Sequence, residues 1–280
     1  MTGTLDDLRS VELTFRVTSG LRPYVDAEVG GLPVRLMVHA NASFTAMVTH
    51  DVARRAGLAL GPAVRDGYGI SAVGRLGGRG RTTATVAALR VGPDVAPDVA
   101  LAVFDVPQDP PVDGMLGLGW LRERAVAVDL GAGRLRFGAG PPAPGARVVP
   151  MAWDEEWGAY VVATTVDGRP ARFVVSTVAG VVVDAVAADR FGLERGRPLG
   201  DDGGPTGTVV ASSAVAGGWS VGLGGASYPV AGGSVMDLYA YAEQERPEPG
   251  RAVDGFLGCD FLLTYQAVVD VAGERLVLPA

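Results

Sequence analysis

The chain has 280 residues, of which 48% are hydrophobic and 20% are charged, and its formal net charge is -7. An acidic chain is repelled electrostatically by nucleic acid and by anionic membranes, so we expect neither as a partner. All of its basic residues are arginine, which excludes a catalytic lysine, and its single cysteine, Cys259, excludes an internal disulfide.

Strand-like segments dominate the start of the chain. Residues 11–17 alternate between polar and apolar side chains, which predicts a first strand. A strand pair over residues 25–38 follows and leads into a loop that begins at His39. Thr49 is then placed to cap a short helix over residues 51–56. With 41 glycines, 19 prolines and few amphipathic helical patterns, the sequence favours an all-β architecture.

Glycine-rich and proline-rich stretches separate the later strands. The glycine-rich residues 68–81 are flanked by strand-like sequence and predict a hairpin. Further strands are predicted at 84–90 and 99–106, and the proline-rich residues 141–145 predict a stiff linker. Residues 236–250 match nothing earlier in the sequence, so we expect them to overhang a cleft or to form a partner surface.

The sequence contains an internal duplication with a period of about 140 residues, far longer than the unit of a solenoid. Matching stretches occur in the same order in both halves: 24–35 with 160–172, 35–47 with 172–180, 112–121 with 253–262, and 127–136 with 268–277. We therefore predict two homologous lobes, an N-terminal lobe over residues 1–145 and a C-terminal lobe over residues 146–280.

At these residues the chain resembles the aspartic proteases, both the bacterial retropepsin-like and the two-lobed pepsin-like families. In each lobe of such proteins an apolar strand leads into an Asp-Thr-Gly-Ala-Ser loop, and a later apolar-apolar-Gly segment threads behind that loop. Leu116-Gly117 and Leu257-Gly258 match the threading segment. The resemblance covers nearly the whole chain. It implies an all-β fold of two lobes with few short helices, a central cleft between the lobes, and a flap at about residues 68–81.

The catalytic loops of that family are altered in this chain. The first loop reads His39-Ala40-Asn41 and the second reads Ser176-Thr177-Val178, where the family has Asp-Thr-Gly. The family mechanism needs two carboxylates that share one proton, and neither an imidazole nor a hydroxyl reproduces this pair. The resemblance therefore implies a pseudoprotease that does not hydrolyse peptides by the aspartic mechanism.

Seven residues form the candidate site. In this fold His39 and Ser176 would face each other across the lobe interface, where they could do acid-base work or orient a polar ligand group. Catalytic roles are assigned to His39, Ser176 and Thr177, and ligand-binding roles to Asn41, Ser43, Val178 and the flap aromatic Tyr68. The alternative is that His39 and Ser176 only form hydrogen bonds that close the interface.

Three interpretations of the function stay open at this point. The first is an enzyme whose cleft binds a small molecule and promotes a cyclisation, an isomerisation or a similar acid-base step, as in secondary metabolism. The second is a non-catalytic pseudoprotease that binds a ligand or a protein partner, and the third is a hydrolase with a non-aspartic mechanism. No group of His, Cys or carboxylate residues has metal-ligand spacing, so we expect neither a metal nor another cofactor.

The expected partner is a small molecule in the inter-lobe cleft, and the expected state is a monomer or a weak homodimer. The N-terminal sequence is polar and acidic, unlike a signal peptide, and no apolar run approaches the length of about 20 residues that spans a bilayer. We therefore expect a cytoplasmic location.

The remaining polar residues of interest are expected to have structural roles. His50 stands at the start of a helix and is expected to be exposed. Four aspartates occur symmetrically in the two halves and are expected to form turns: Asp113, Asp129, Asp254 and Asp270. Cys259 is expected to pack in the core.

Overall fold

The structure is a computed structural model that describes residues 10–17, 20–63, 81–105, 111–138, 140–203, 209–242, 244–248 and 250–280. Of the predicted flap at residues 68–81, only Arg81 lies within these ranges. Tyr68, the expected flap aromatic, lies outside the described residues.

Strands make up most of the described chain, and the helices between them are short. The first half contains β1 (Ser10–Glu12), β2 (Thr14–Val17), β3 (Leu21–Val29), β4 (Leu32–His39), β5 (Ala46–Val48), α1 (His50–Arg55), β6 (Thr82–Val91), β7 (Asp94–Val103), β8 (Gly114–Gly117), α2 (Leu118–Glu123), β9 (Val126–Asp129) and β10 (Arg134–Phe137). The second half contains β11 (Arg147–Asp154), β12 (Ala159–Val166), β13 (Arg169–Val175), β14 (Val182–Asp184), α3 (Ala185–Phe191), β15 (Arg195–Gly203), β16 (Val209–Val215), β17 (Trp219–Leu223), β18 (Ala226–Val230), β19 (Ser234–Met236), α4 (Leu238–Ala242), β20 (Gly255–Leu257), α5 (Cys259–Thr264), β21 (Val268–Asp270) and β22 (Arg275–Leu278).

The described strands form two sheets. One has the order β2-β3-β4-β8-β5-β7-β6 and belongs to the first half of the chain. The other begins with β1-β10-β9-β21-β22-β11, strands from both halves, and continues through β12-β13-β20-β14-β19 of the second half. Strands β9 and β21 pair antiparallel, with Val128 opposite Val269. The two halves are therefore joined by a shared sheet.

The strand pairing repeats from one half to the other. In the first half β4 runs parallel to β8, β5 runs antiparallel to β8, and β5 runs parallel to β7. In the second half β13, β20, β14 and β19 repeat these three relationships in the same order. The predicted all-β fold of two homologous lobes is thus confirmed, whereas the boundary between residues 145 and 146 stays a prediction.

The first helix of each lobe begins at a side-chain cap. The Thr49 hydroxyl accepts a hydrogen bond from the Val52 N–H at 3.3 Å, as predicted for α1. In the second lobe the Asp184 carboxylate caps α3, which ends at Gly192 in the left-handed conformation with φ of 72°. Within the described ranges, no helix is long and apolar enough to cross a membrane.

Alternation along the strands divides the apolar side chains between two faces. On β4, Leu36 and Val38 point into the main core, while Met37 belongs to a separate cluster and shares its face with His39. This first-lobe cluster comprises Tyr24, Met37, Ala42, Phe44, Met47, Ala102, Phe104, Val112 and Met115. The equivalent second-lobe cluster comprises Trp157, Ala159, Val161, Val174, Val182, Met236, Leu238, Tyr239, Ala252, Val253 and Phe256. Both clusters therefore lie on the sheet face that also carries the candidate site.

Candidate functional site

The two predicted loops occupy equivalent positions in the two lobes. The Leu118 N–H donates to the Ala42 carbonyl at 2.7 Å, and the Cys259 N–H donates to the Ala179 carbonyl at 2.8 Å. Since Ala42 comes three residues after His39 and Ala179 comes three residues after Ser176, His39 and Ser176 also correspond. The structure thus places these two residues as the ungapped comparison of the sequences predicts.

The second loop is two residues shorter than the first. Four residues separate Ala42 from Met47, whereas two separate Ala179 from Val182, and Met47 and Val182 pair with equivalent positions of β8 and β20. The extra residues of the first loop include Phe44, whose ring packs edge-on against the His39 ring with centroids 6.4 Å apart. The first loop therefore encloses its polar residue with an aromatic side chain.

Each threading segment passes so close to its loop that it requires glycine. A Cβ atom on Gly117 would overlap the Phe44 carbonyl oxygen, and one on Gly258 would overlap the Gly180 carbonyl oxygen. Both glycines have ordinary negative φ angles, so close approach rather than backbone conformation fixes their identity. The backbone of each threading segment thus packs directly against the backbone of its loop.

The Ser176 hydroxyl is fully engaged in hydrogen bonds. It accepts the N–H groups of Val178 at 3.3 Å and Ala179 at 3.0 Å, and it donates its proton to Asn41 Oδ1 at 2.8 Å. A hydroxyl offers one donor and two acceptor sites, so all three are used. The residue is completely buried. Its proton is directed at Asn41 and not at the His39 ring.

The Thr177 hydroxyl joins the two lobes. It donates to the Val38 carbonyl of the first lobe at 2.7 Å and accepts the Ala40 N–H at 3.0 Å. Ala40 stands at the equivalent position of the first loop and has no hydroxyl with which to return these bonds. At this position, therefore, only the second lobe contributes a hydroxyl that bonds to the other lobe.

His39 is buried in the neutral form. Burial, with a smaller contribution from the charge of Arg22, lowers the pKa of His39 to about 3, although a hydrogen bond with Asn41 acts in the opposite direction. Its Nδ1 atom is buried and has no hydrogen-bond partner among the described residues. At neutral pH the site thus contains an uncharged imidazole with one unused nitrogen.

Asn41 lies between the two residues that were expected to face each other. Its side chain is hydrogen-bonded to both His39 and the Ser176 hydroxyl. The predicted direct pairing of imidazole and hydroxyl is therefore replaced by a three-residue arrangement. Of the other predicted ligand-binding residues, Ser43 is exposed and Val178 is half-buried against the first-lobe cluster.

One residue next to this arrangement was missed in the sequence. Arg22 lies on β3, two residues before Tyr24 and on the same face, and is only 4% exposed. Its guanidinium donates to the Leu21 carbonyl at 3.0 Å and lies 3.4 Å from Asp260 of the other lobe. Its charge acts on His39. The signal in the sequence was its position two residues before Tyr24, which places both side chains on one face of the strand.

Residues 236–250 contribute to the same face in the second lobe. Leu238 and Tyr239 of α4 belong to the second-lobe cluster, and the Tyr239 ring meets Trp157 edge-on at 5.4 Å. Arg246 binds the completely buried Asp184 through both of its terminal nitrogens. The segment is thus attached to the second lobe by this apolar packing and by this ion pair.

Several minor expectations need correction. His50 is buried and not exposed. Its backbone N–H donates to the Asp105 carboxylate at 3.1 Å, and its ring atom Nδ1 lies 3.3 Å from the same carboxylate. Asp113 and Asp254 do not close turns, since each accepts a backbone N–H of the adjacent strand at 2.9 Å.

Other minor expectations hold. Asp129 and Asp270 accept backbone N–H groups three residues further on, as turn-forming residues do. Cys259 is completely buried, and burial raises the pKa of its thiol to about 12, which leaves it unreactive. The described part of the chain contains no group of three or more His, Cys, Asp or Glu residues that could hold a metal ion.

Comparison with known proteins gives structural matches alone. No protein-family model matches the sequence, and no curated protein matches it. An aspartic proteinase from Irpex lacteus matches 97% of this chain over 96% of its own, with a TM-score of 0.54 and 14% sequence identity. A retropepsin-like aspartic protease from Rickettsia conorii matches 46% of this chain over 86% of its own, with a TM-score of 0.32 and 18% identity. The first of these likenesses shows that the chain has the two-lobed fold of an aspartic proteinase.

Proposed function

We propose that the chain is an aspartic-protease-like protein without aspartic protease activity, and that its inter-lobe cleft binds a small molecule. The observation that carries this proposal is the hydrogen-bonded arrangement of His39, Asn41 and Ser176 at the equivalent positions of the two loops. These side chains contain no carboxylate. The proton shared between two carboxylates, which the aspartic mechanism needs, has no counterpart here.

The state of His39 and Ser176 supports binding more than catalysis. A general base works best when its pKa lies near the working pH, and an imidazole with a pKa of about 3 is a weak base. The Ser176 hydroxyl already uses its one donor and both acceptor sites. This arrangement also disfavours a serine-hydrolase mechanism, because a nucleophilic serine needs a base that takes its proton.

The surroundings of His39 supply the apolar contacts that small-molecule sites usually have. Met37 precedes His39 by two residues on the same strand face, and Met115 packs in the same cluster. Methionine side chains adapt to irregular shapes, which suits the binding of a compact apolar molecule. Val178 brings a side chain of the opposite loop into this cluster.

A repurposed acid-base enzyme is the second candidate, and one observation favours it. The buried Nδ1 atom of His39 lacks a hydrogen-bond partner among the described residues, and buried polar atoms in native proteins usually have one. A ligand group at this nitrogen would satisfy it. Such a group could also exchange a proton with it, as a cyclisation or an isomerisation requires.

The test combines binding with turnover. The purified full chain is screened against small molecules by thermal shift, and every stabilising compound is then incubated with it and followed by mass spectrometry. We expect ligands without products, no cleavage of a peptide library between pH 3 and 8, and no stabilisation by a pepstatin-type inhibitor. Products that disappear in His39→Gln, but persist in the matched variant His50→Gln, would replace the binding proposal with the enzyme. Peptide cleavage blocked by pepstatin would refute both.

A further inference from the structure

A cavity of about 200 Å³ lies on the outer face of the sheet that joins the two lobes. Val128 of β9 and Val269 of β21 pair across the junction and are buried in the main core. Successive side chains of a strand point to opposite faces, so Val268 and Asp270 point away from that core. Both of these residues line the cavity.

The walls of the cavity come from both lobes and from the linker between them. The first lobe contributes Asp129 and Arg136, and the second lobe contributes Asp270 and Arg275. Residues 140–143 of the linker complete the lining. A molecule bound here would therefore contact all three parts of the chain at once.

The carboxylates of the cavity are already engaged by the protein. One oxygen of Asp270 accepts the Gly273 N–H at 3.0 Å, and the other accepts the Arg275 Nε–H at 2.7 Å. In the first lobe, Asp129 Oδ1 accepts the Ala132 N–H at 2.8 Å. These aspartates thus serve their turns and leave the arginines as the groups that can bind a ligand.

Arg136 is the arginine whose donors are unused. Its Nε atom lies 3.4 Å from Asp129 Oδ2, but it is buried and has no hydrogen-bond partner among the described residues. Its two terminal nitrogens likewise donate no hydrogen bond within the described ranges of the chain. The side chain is 41% exposed, so a ligand can reach it from solvent. A guanidinium with unused donors binds a carboxylate through two parallel hydrogen bonds.

The repeat between the halves shows that the strand pair itself does not require Arg136. Arg134 matches Arg275 in the duplicated sequence, whereas Arg136 matches Val277. Val277 also lines the cavity, where it lies opposite Val268 in the pairing of β22 with β21. The difference between the halves thus places a cation at one end of the cavity and an apolar surface at the other.

We propose that this cavity binds a small organic monocarboxylate, whose carboxylate is bound by Arg136 and whose apolar body lies over Val268 and Val277. The two arginines and two aspartates of the lining have no net charge, which disfavours ligands with several negative charges. An apolar cavity of about 150 Å³ holds benzene, so a molecule the size of benzoate fits here. The site is separate from the inter-lobe cleft and does not rest on the function proposed for that cleft.

The experiment compares two probes of nearly equal size by fluorine NMR titration. 4-Fluorobenzoate carries the carboxylate, and 4-fluorobenzamide is its uncharged counterpart. Both are titrated into the full-length wild-type chain and into Arg136→Gln, Arg136→Lys and Val268→Phe. Arg90→Gln is the matched control, because Arg90 Nε also lies 3.4 Å from a carboxylate, that of Glu28, and its side chain is 51% exposed. Thermal unfolding of each variant first establishes that it is folded.

In the wild type the benzoate should bind more tightly than the benzamide. Arg136→Gln should lose about ten-fold or more in affinity for the benzoate, since hydrogen bonds between charged groups are strong. Arg136→Lys should lose less, because lysine keeps the charge without the planar group. Val268→Phe should weaken binding by filling the cavity, and Arg90→Gln should change nothing. If Arg136→Gln or Val268→Phe does not fold, the lysine variant and the comparison of the two probes decide the outcome.

Three results would overturn this assignment. Absence of benzoate binding by the folded wild-type chain would exclude the site. Equal affinities for the benzoate and the benzamide would exclude recognition of the carboxylate. Binding that is unchanged in both Arg136→Gln and Val268→Phe would place the benzoate elsewhere, and if that place is the inter-lobe cleft, the function proposed for the cleft would stand while this site fails.

Discussion

The cross-lobe hydrogen bonds of Thr177 provide the sharpest test of how the two lobes are held together. In Thr177→Val the side chain keeps nearly the same shape but loses the hydroxyl. The Val38 carbonyl and the Ala40 N–H, bonded to that hydroxyl at 2.7 and 3.0 Å, would then be buried without their partner. Each buried polar group left unpaired costs about 1–3 kcal/mol, so for these two groups the free energy of unfolding should fall by about 2–6 kcal/mol.

A matched variant separates the hydroxyl from the methyl group of Thr177. Thr177→Ser keeps both hydrogen bonds and removes one methyl group, which should cost only about 1 kcal/mol. Urea denaturation of the wild type and of both variants, followed by tryptophan fluorescence, measures the difference. A loss below about 0.5 kcal/mol in Thr177→Val, or an equal loss in both variants, would show that these bonds do not hold the lobes together.

Two further predictions concern buried charge. The pKa of His39 is about 3 in the folded chain and about 6.5 when unfolded, so protonation of His39 favours the unfolded chain. The stability that depends on neutral His39 is complete above pH 6.5 and is lost as the pH falls toward 3. The wild type should lose about 2 kcal/mol more than His39→Gln between pH 7 and 5, and equal losses in urea titrations would contradict this. Arg246→Met should cost about 3–5 kcal/mol, because buried Asp184 loses its bidentate partner. Exposed Arg251, 3.8 Å from Glu156, is the control, and its methionine variant should cost less than about 0.5 kcal/mol; similar urea midpoints for both variants would refute the reasoning.

The overall architecture could be predicted because the two halves of the sequence share the same short sequence patterns. Apolar strands, glycine turns and the threading glycines recur in the same order in both halves. Each of these features depends on neighbouring residues and is therefore recognisable in the sequence. The requirement for glycine at Gly117 and Gly258 follows from backbone contact behind the loops. The cap at Thr49 was likewise visible, because capping depends on residues within one helical turn.

The details of the site could not be predicted because they depend on side chains from both lobes. Asn41 was assigned a ligand-binding role, yet it lies between His39 and Ser176 and joins them by hydrogen bonds. Arg22 was overlooked, since an arginine in a strand is ordinarily exposed and only the packing of the second lobe reveals its burial. His50 was expected to be exposed because its partner, Asp105, lies far away in the sequence.

The connection to the second lobe also explains why residues 236–250 had no clear role in the sequence. Seven residues separate Asp105 from Asp113 in the first lobe, but sixteen separate the equivalent Asp237 from Asp254. The additional residues allow α4 to form and allow Arg246 to reach Asp184. The second lobe thus contains a segment without a counterpart in the first lobe, so comparison of the two halves could not predict where it lies.

The two lobes are consequently unequal where they meet, and this inequality bears on what the site can bind. The hydroxyls that cross the interface come from the second loop, at Ser176 and Thr177, and they bond to atoms of the first loop. In the second lobe, α4 contributes Leu238 and Tyr239 to the apolar cluster on the site face. The features suited to a ligand, namely the unused nitrogen of His39 and the methionines, belong to the first lobe. A pair of matching catalytic groups needs symmetry between the loops, whereas the proposed binding of one small molecule needs only one side, and the side that offers these contacts is the first.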